Sequence, residues 1–308
     1  MGSGTFDPGK YRAYATASAA KPTTGPTGVF TATGMKPSLD PKGVKIRESR
    51  DSDDSPEATP IIVGTDVTGS MGELAGVIAR KGLGVLFEAI LARKPVTNPH
   101  MMFMAIGDAQ CDQAPLQVSQ FEADNRIIEQ LADTWIEGSG GGNDHESYEL
   151  TWYFAANHTV HDSLIKRGKR GYLFTVGDEP IGPGLTKSQI RDFLDDGAER
   201  DWSTQECLEA AQRLYDVYHI QIRAGYSDSS RGFNHANDTW KSVMGQHLIV
   251  LDDYQLLAET IVSTIEVAEG RDAAVSAAGW GAGAATVLSA TKNLPRGAAP
   301  KQLGNLGT

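Results

Sequence analysis

Three oxygen-bearing side chains follow the first strongly apolar run of the sequence at alternating positions. The run PIIVGTD ends in Asp66, and Thr68 and Ser70 follow it at intervals of two residues. In an extended turn, alternating side chains point to the same side, so one carboxylate and two hydroxyls can converge on one point. Hard oxygen donors of this kind suit Mg²⁺, with Mn²⁺ or Ca²⁺ as alternatives, and do not suit zinc. The spacing therefore predicts a site for one divalent cation.

The elements that must position this site alternate between strand and helix. Short apolar runs predict strands over 60–65, 101–106, 172–176, 219–222 and 247–251, and an alternating run predicts an antiparallel edge strand over 116–121. Helical periodicity predicts helices over 71–93, 123–135, 145–157, 186–195, 203–216 and 254–268. This order is typical of a doubly wound, mostly parallel α/β sheet with helices on both faces. Asp66 then ends a central strand, at the edge where such sheets bind ligands.

The run DVTGSMG resembles the DxSxS or DxTxS signature of the metal ion-dependent adhesion site in von Willebrand factor A domains. The Gly-rich loop GSGGGNDHES is similar to a second ligand loop of that family, and YLFTVGDEP is similar to its strand that ends in an acidic residue. The resemblance covers about 59–269. It implies that the cation is held by five side chains from three loops, with Asn143 as the alternative to Asp144: Asp66, Thr68, Ser70, Asp144 and Asp178.

The resemblance also implies a function. Members of this family bind a protein partner through a carboxylate or other oxygen that completes the metal shell, so we expect a non-enzymatic adaptor or assembly factor. Asp144 stands where the family most often has a neutral Thr, and a third negative charge would weaken the attraction for an incoming carboxylate. This effect disappears if Asn143 is the ligand. The loop 226–232 follows a predicted strand and either shapes the partner surface or is an ordinary polar loop.

Each candidate ligand also has a simpler explanation. Asp66 and the two hydroxyls after it are residue types that cap the N-terminus of a helix. Asn143 and Glu146 have the spacing of a capping box, and Asp178 could belong to a simple turn. We interpret Glu179 as a solvated neighbour of Asp178. These explanations remain open at the level of sequence, although three motifs in the family's order favour the metal site.

Composition excludes several classes of function. The net charge of −11 and the pI of about 5.1 argue against nucleic acid as a partner, since phosphate binding depends on Lys and Arg. Two cysteines, Cys111 and Cys207, are too few for a disulfide framework and indicate a reducing compartment. The sequence has neither a signal-like apolar segment near its start nor an apolar run of ~20 residues. We therefore predict no membrane contact and a location in the cytoplasm, or within a particle assembled there.

The ends of the chain differ in composition from the middle. Residues 1–57 are rich in Gly, Pro, Ser and Thr, and residues 270–308 are rich in Gly and Ala, so both are predicted as extended arms around a domain over 58–269. Such arms support an alternative function, a structural subunit of a large homo-oligomeric or virion-like assembly whose arms clasp neighbours. A haloacid-dehalogenase-like phosphohydrolase is less favoured, because that family needs an Asp where this chain has Thr68.

Overall fold

A computed structural model describes residues 4–78, 83–137 and 143–297 of the chain. Over these residues the strands are β1 Arg47–Ser49, β2 Thr59–Asp66, β3 Pro99–Ile106, β4 Leu116–Val118, β5 Thr159–His161, β6 Gly171–Gly177, β7 Tyr215–Ile222 and β8 Leu248–Leu251. The main sheet has the order β4-β3-β2-β6-β7-β8. Strand β4 pairs antiparallel with β3, and the other pairings in this sheet are parallel. The predicted mostly parallel sheet with one antiparallel edge strand is confirmed.

Helices cover both faces of the main sheet. The helices are α1 Pro8–Ser18, α2 Gly72–Val77, α3 Leu83–Arg93, α4 Arg126–Ala132, α5 Tyr148–Asn157, α6 Asp162–Arg167, α7 Lys187–Leu194, α8 Thr204–Gln212, α9 Ser230–Met244, α10 Leu257–Ala268, α11 Ala273–Ala278 and α12 Ala284–Thr291. Side chains of α1 to α4 and α10 to α12 pack in the core on one face. Side chains of α5 and α7 to α9 pack in the core on the other face. The fold is therefore doubly wound, as predicted.

Strand β2 shows why the central strands are continuous apolar runs. All its residues are buried, since the sheet is covered on both faces. Its side chains alternate between the two cores, with Ile61 and Val63 in the first and Ile62 in the second. The strand is therefore held in register by packing on both sides, which fixes the position of Asp66 at its end.

The strand order places the site at a topological switch point. Strand β3, which follows β2 in the chain, lies next to it on one side, and the later strand β6 lies next to β2 on the other side. In open α/β sheets of this order, ligands bind in the crevice outside the carboxyl ends of the strands at that point. Asp66 is the last residue of β2, and Asp178 directly follows β6.

The N-terminal segment differs from the extended arm that its composition predicts. Phe6 stacks on Phe87 of α3 at 4.6 Å between ring centroids, and Phe30 is buried in the same core. Further along, the carbonyl of Leu39 accepts a hydrogen bond from the backbone N–H of Val118, which covers the edge strand β4. Strand β1 then pairs with β5 in a small parallel sheet. A few well-spaced aromatic and aliphatic residues fix this polar segment to the domain.

The C-terminal segment is also packed on the domain over its described residues. Arg93 of α3 forms an ion pair with the buried Glu266 of α10 at 2.6 Å and lies over the ring of Trp280 at 4.2 Å. The indole N–H of Trp280 donates to the hydroxyl of Ser263 at 2.7 Å. Trp280 thus anchors the C-terminal segment to α3 and α10.

The described helices agree with the prediction to different degrees. Within the helix predicted over 71–93, the described residues form α2 and α3, and residues 79–82 between them lie outside the described part of the chain. Helix α9 was not predicted, because most of its residues are polar, yet Ala236, Trp240 and Met244 form a buried stripe at intervals of four residues. Within the described ranges, no helix combines the length and apolar character needed to cross a bilayer.

Candidate metal centre

Asp66 is a buried carboxylate whose two oxygens have different surroundings. Its Oδ1 accepts a hydrogen bond from the backbone N–H of Thr68 at 2.8 Å, whereas the buried Oδ2 accepts none from the described residues. Burial, followed by the nearby charge of Asp178, raises the pKa of Asp66 well above its ordinary value. A carboxylate in this position is costly unless a proton or a cation compensates it.

The Thr68 hydroxyl lies between two carboxyl groups. Its Oγ1 is 2.8 Å from Asp66 Oδ1 and 2.9 Å from Glu146 Oε1. One hydroxyl has one proton to donate, so it cannot satisfy both carboxylates at once. The turn that follows begins with Gly69, whose φ of +35° is in the left-handed region, and it places Ser70 in a 3-10 turn. The Ser70 side chain lies outside the described part of the structure.

Glu146 is the main site residue that sequence reasoning missed. It is 4% exposed, its Oε2 has no hydrogen-bond partner, and burial together with the charge of Asp66 raises the pKa of its carboxyl to about 10. The sequence suggested that it closes a capping box with Asn143. Helix α5 begins instead at Tyr148, and the backbone of Glu146 is bridged to Ile181 in the loop after β6. Its side chain is therefore directed to Thr68.

Asp178 is fixed by the loop that follows β7. It is 1% exposed, and its Oδ2 accepts a hydrogen bond from the backbone N–H of Tyr226 at 2.5 Å. Its backbone carbonyl accepts from the hydroxyl of Ser227, also at 2.5 Å. The loop over 226–232 therefore orients a candidate ligand. Because β2 and β6 pair in parallel up to Thr65 and Val176, Asp66 and Asp178 lie at the same edge of the sheet, and the charge of Asp178 raises the pKa of Asp66.

The two residues predicted from the Gly-rich loop lie outside this cluster. The Asp144 side chain is 62% exposed, and its carboxylate lies 3.7 Å from His145 and 3.9 Å from His235. The Asn143 amide donates to Asp108 Oδ2 at 2.8 Å. The structure thus places Asp144 at the solvent-facing rim and brings neither residue to Thr68. Residues 138–142 of the same loop lie outside the described residues.

The rim of the site is acidic. Glu179, predicted as solvated, is half-buried, and burial followed by the charges of Asp178, Asp108 and Asp144 raises its pKa to about 7. Asp108 is itself buried after the end of β3. Three neighbouring strands therefore end in acidic residues, and the signal for Asp108 was the sequence IGDAQCD directly after a predicted strand.

Two buried aromatic residues, Tyr148 and Trp240, pack next to the site. The Tyr148 hydroxyl is buried, and its pKa is raised by burial and by the charge of Asp66, which shows that it lies near the carboxylates. Gly177 makes room for it, since a Cβ at that position would overlap the hydroxyl. Trp240 packs edge-on against Tyr148 at 5.0 Å, and its indole N–H donates to the carbonyl of Glu179 at 2.9 Å. Helices α5 and α9 thereby hold the loop after β6 in place.

The donor set fits a hard divalent cation. Within 4–78, 83–137 and 143–297, no group of three or more His, Cys, Asp or Glu side chains has the arrangement of a metal site. The cluster consists of two carboxylates that share one hydroxyl, with Asp178 beside them. Asp66 Oδ2 and Glu146 Oε2 are buried acceptors without a donor, and an oxygen-binding cation would satisfy both. The site contains no thiolate and does not suit a soft metal.

Comparisons with known proteins give a likeness of fold at low similarity. No protein-family model and no curated protein matches this chain. Among solved structures, the pilus adhesin SpaC from Lactobacillus rhamnosus GG in its open conformation aligns at 10% identity and a TM-score of 0.44, over 71% of this chain and 31% of that chain. A von Willebrand factor type A protein from Catenulispora acidiphila aligns at 12% identity and a TM-score of 0.36, over 70% and 43%. The matched region is less than half of either protein.

Proposed function

We propose that this chain is a non-enzymatic protein-binding module that depends on one divalent cation, most simply Mg²⁺, with Mn²⁺ or Ca²⁺ as alternatives. The observation that carries the proposal is the pair of buried, unpartnered oxygens, Asp66 Oδ2 and Glu146 Oε2, on either side of the Thr68 hydroxyl. These three residues would hold the cation, with Asp178 contributing directly or through water. The bound cation would coordinate an oxygen atom of the partner protein.

The position of the site supports binding to another protein. It lies at the switch point of the sheet, where ligands of open α/β folds bind. Its outer boundary is formed by the exposed Asp144 and by the half-exposed loop that begins at Tyr226. The sequence resemblance to the metal ion-dependent adhesion site of von Willebrand factor A domains adds to this, since Asp66, Thr68 and Ser70 have its spacing.

The alternatives receive less support from the same residues. A phosphohydrolase of the haloacid dehalogenase type needs an acid/base carboxylate two residues after Asp66, and that position is Thr68. Mg²⁺-dependent release of phosphate from simple phosphoesters would favour that activity over the proposal. The proposal of an assembly subunit depended on extended arms, whereas Phe6 and Phe30 of the N-terminal segment and Trp280 of the C-terminal segment pack on the core of the same chain.

A pull-down from the native source with the full chain as bait tests the proposal. We expect a protein partner to be retained in Mg²⁺ and lost in EDTA, and lost in both conditions by Asp66→Asn, which keeps the shape of the side chain. Glu149→Gln is the matched control, because Glu149 is a buried carboxyl in α5 that accepts hydrogen bonds from Gly184 and Thr204 and none from Thr68. A partner retained equally in EDTA and by Asp66→Asn would overturn the proposal.

A further inference from the structure

The site carries more negative charge than one divalent cation neutralises. Asp66, Glu146 and Asp178 are 0%, 4% and 1% exposed. Carboxylates bind metal in their deprotonated form, so three of them contribute a charge of −3 against +2 from the cation. The loaded site therefore keeps an excess negative charge in a location from which bulk water is largely excluded, where charges are weakly screened.

The surroundings add to this excess. Asp108 is buried after the end of β3, where it accepts a hydrogen bond from Asn143, and Asp144 next to Asn143 is exposed at the rim. The chain as a whole carries −11. An incoming carboxylate would meet repulsion both at the cation and at the rim, whereas a cationic side chain would be attracted along its path to the site.

The unpartnered oxygens show that this is a binding site and not only a cluster of acidic residues. Asp66 Oδ2 and Glu146 Oε2 belong to side chains that are more than nine-tenths buried, and each lacks a hydrogen-bond donor. Both carboxyls also contact the Thr68 hydroxyl, so they face a common point. A single cation at that point would satisfy both oxygens at once.

We propose that the partner of this site presents a neutral oxygen, a carbonyl or side-chain amide, next to a lysine or arginine, and not a carboxylate. The inference rests on the proposed function and specifies its partner. The neutral oxygen completes the shell of the cation without adding charge, as carbonyl and amide oxygens do in many Mg²⁺ and Ca²⁺ sites. The basic side chain lies against Glu179 and Asp144 at the rim.

The experiment uses the full chain loaded with Mn²⁺ and two capped pentapeptides that differ at one position. One has the sequence Gly-Ser-Gln-Lys-Gly, and in the other glutamate replaces the lysine. Affinities are measured by calorimetry, and water-proton relaxation reports whether the peptide displaces water from Mn²⁺. We expect the lysine peptide to bind at least tenfold more tightly. Glu146→Gln removes one negative charge and should reduce this ratio at least threefold, whereas Glu149→Gln should leave it unchanged.

The outcomes separate this inference from the proposed function. If Mn²⁺ binds and the glutamate peptide binds as well as or better than the lysine peptide, or neither binds measurably, the inference is overturned while the metal site stands. If Mn²⁺ itself does not bind to the wild-type chain, the proposed function fails first. A preference for lysine that survives in EDTA shows that the acidic rim acts without the cation, which also overturns the inference.

Discussion

Replacing Glu146 with glutamine should raise the stability of the metal-free protein and reduce the further stabilisation that a bound metal provides. In the metal-free protein, burial and the charge of Asp66 raise the pKa of Glu146 to about 10, so its carboxyl is protonated at pH 7 in the folded state and ionised in the unfolded state. Because folding raises the pKa of this carboxyl, the free energy of unfolding falls as the pH rises from the unfolded pKa of 4.5 toward the folded pKa. Glutamine removes this penalty and keeps the shape.

The size of both effects follows from simple linkage. One pH unit corresponds to about 1.4 kcal/mol, so at pH 7 the metal-free variant should be more stable by about 3 kcal/mol. Mg²⁺ at one hundred times its Kd stabilises the wild type by about 2.7 kcal/mol, and a tenfold loss of affinity on removing one carboxylate ligand reduces that gain by about 1.4 kcal/mol. In melting temperature, the metal-induced shift should fall from about 6 °C to about 3 °C.

Differential scanning fluorimetry in EDTA and across a Mg²⁺ titration measures both quantities. Glu149→Gln is again the control, because burial raises the pKa of Glu149 to about 7 as well, but its Oε1 accepts hydrogen bonds from Gly184 and Thr204 and the carboxyl does not contact Thr68. That variant should melt higher than wild type in EDTA and show the full metal-induced shift. The reasoning is refuted if Glu146→Gln shows the same metal-induced shift as the wild type, or melts lower in EDTA.

Three further predictions concern the support of the site and of the fold. Gly177→Ala should weaken Mn²⁺ binding at least tenfold in calorimetry, because its Cβ overlaps the Tyr148 hydroxyl, and adding Tyr148→Phe should restore part of the affinity; unchanged binding contradicts the packing described. Between pH 4.5 and 7, Glu149 ionises in the unfolded state but stays protonated in the folded state, which should lower the free energy of unfolding by about 3 kcal/mol. Urea unfolding at pH 5 and 8 should therefore show a smaller pH dependence in Glu149→Gln than in the wild type, and an equal pH dependence would contradict the raised pKa. Arg93→Met should cost about 1 to 3 kcal/mol in urea unfolding, because the buried Glu266 loses two hydrogen bonds from Arg93 and keeps only those from Arg271 and Ser276. Glu266→Gln in the same chain should recover part of that loss, and an unchanged free energy of unfolding would contradict the ion pair's role.

The fold and the positions of Asp66 and Asp178 could be predicted because both depend on local patterns in the sequence. A buried parallel strand is a continuous apolar run, and a polar residue directly after it lies at the sheet's carboxyl edge, which located Asp66 and Asp178. The strand order then follows from short crossovers. Helix α9 escaped prediction because its buried stripe is narrow and its other positions are polar.

The second ligand loop could not be resolved from sequence for a physical reason. Asn143, Asp144 and Glu146 all carry oxygens, and which of them faces the site depends on the loop's backbone path. That path is set by distant contacts, the bridge from Glu146 to Ile181 and the hydrogen bond from Asn143 to Asp108. The terminal segments pose the same problem, because isolated residues such as Phe6 gain their packing partners only in the folded chain.

The position of a bound cation tests the central claim most directly. Crystals of the full chain grown with Mn²⁺ and measured near the manganese absorption edge would locate the ion by its anomalous signal. We expect one strong peak at about 2.0 to 2.5 Å from oxygens of Asp66, Thr68 and Glu146. A saturated crystal with no peak between these side chains, in which their oxygens bond to one another, would contradict the metal site.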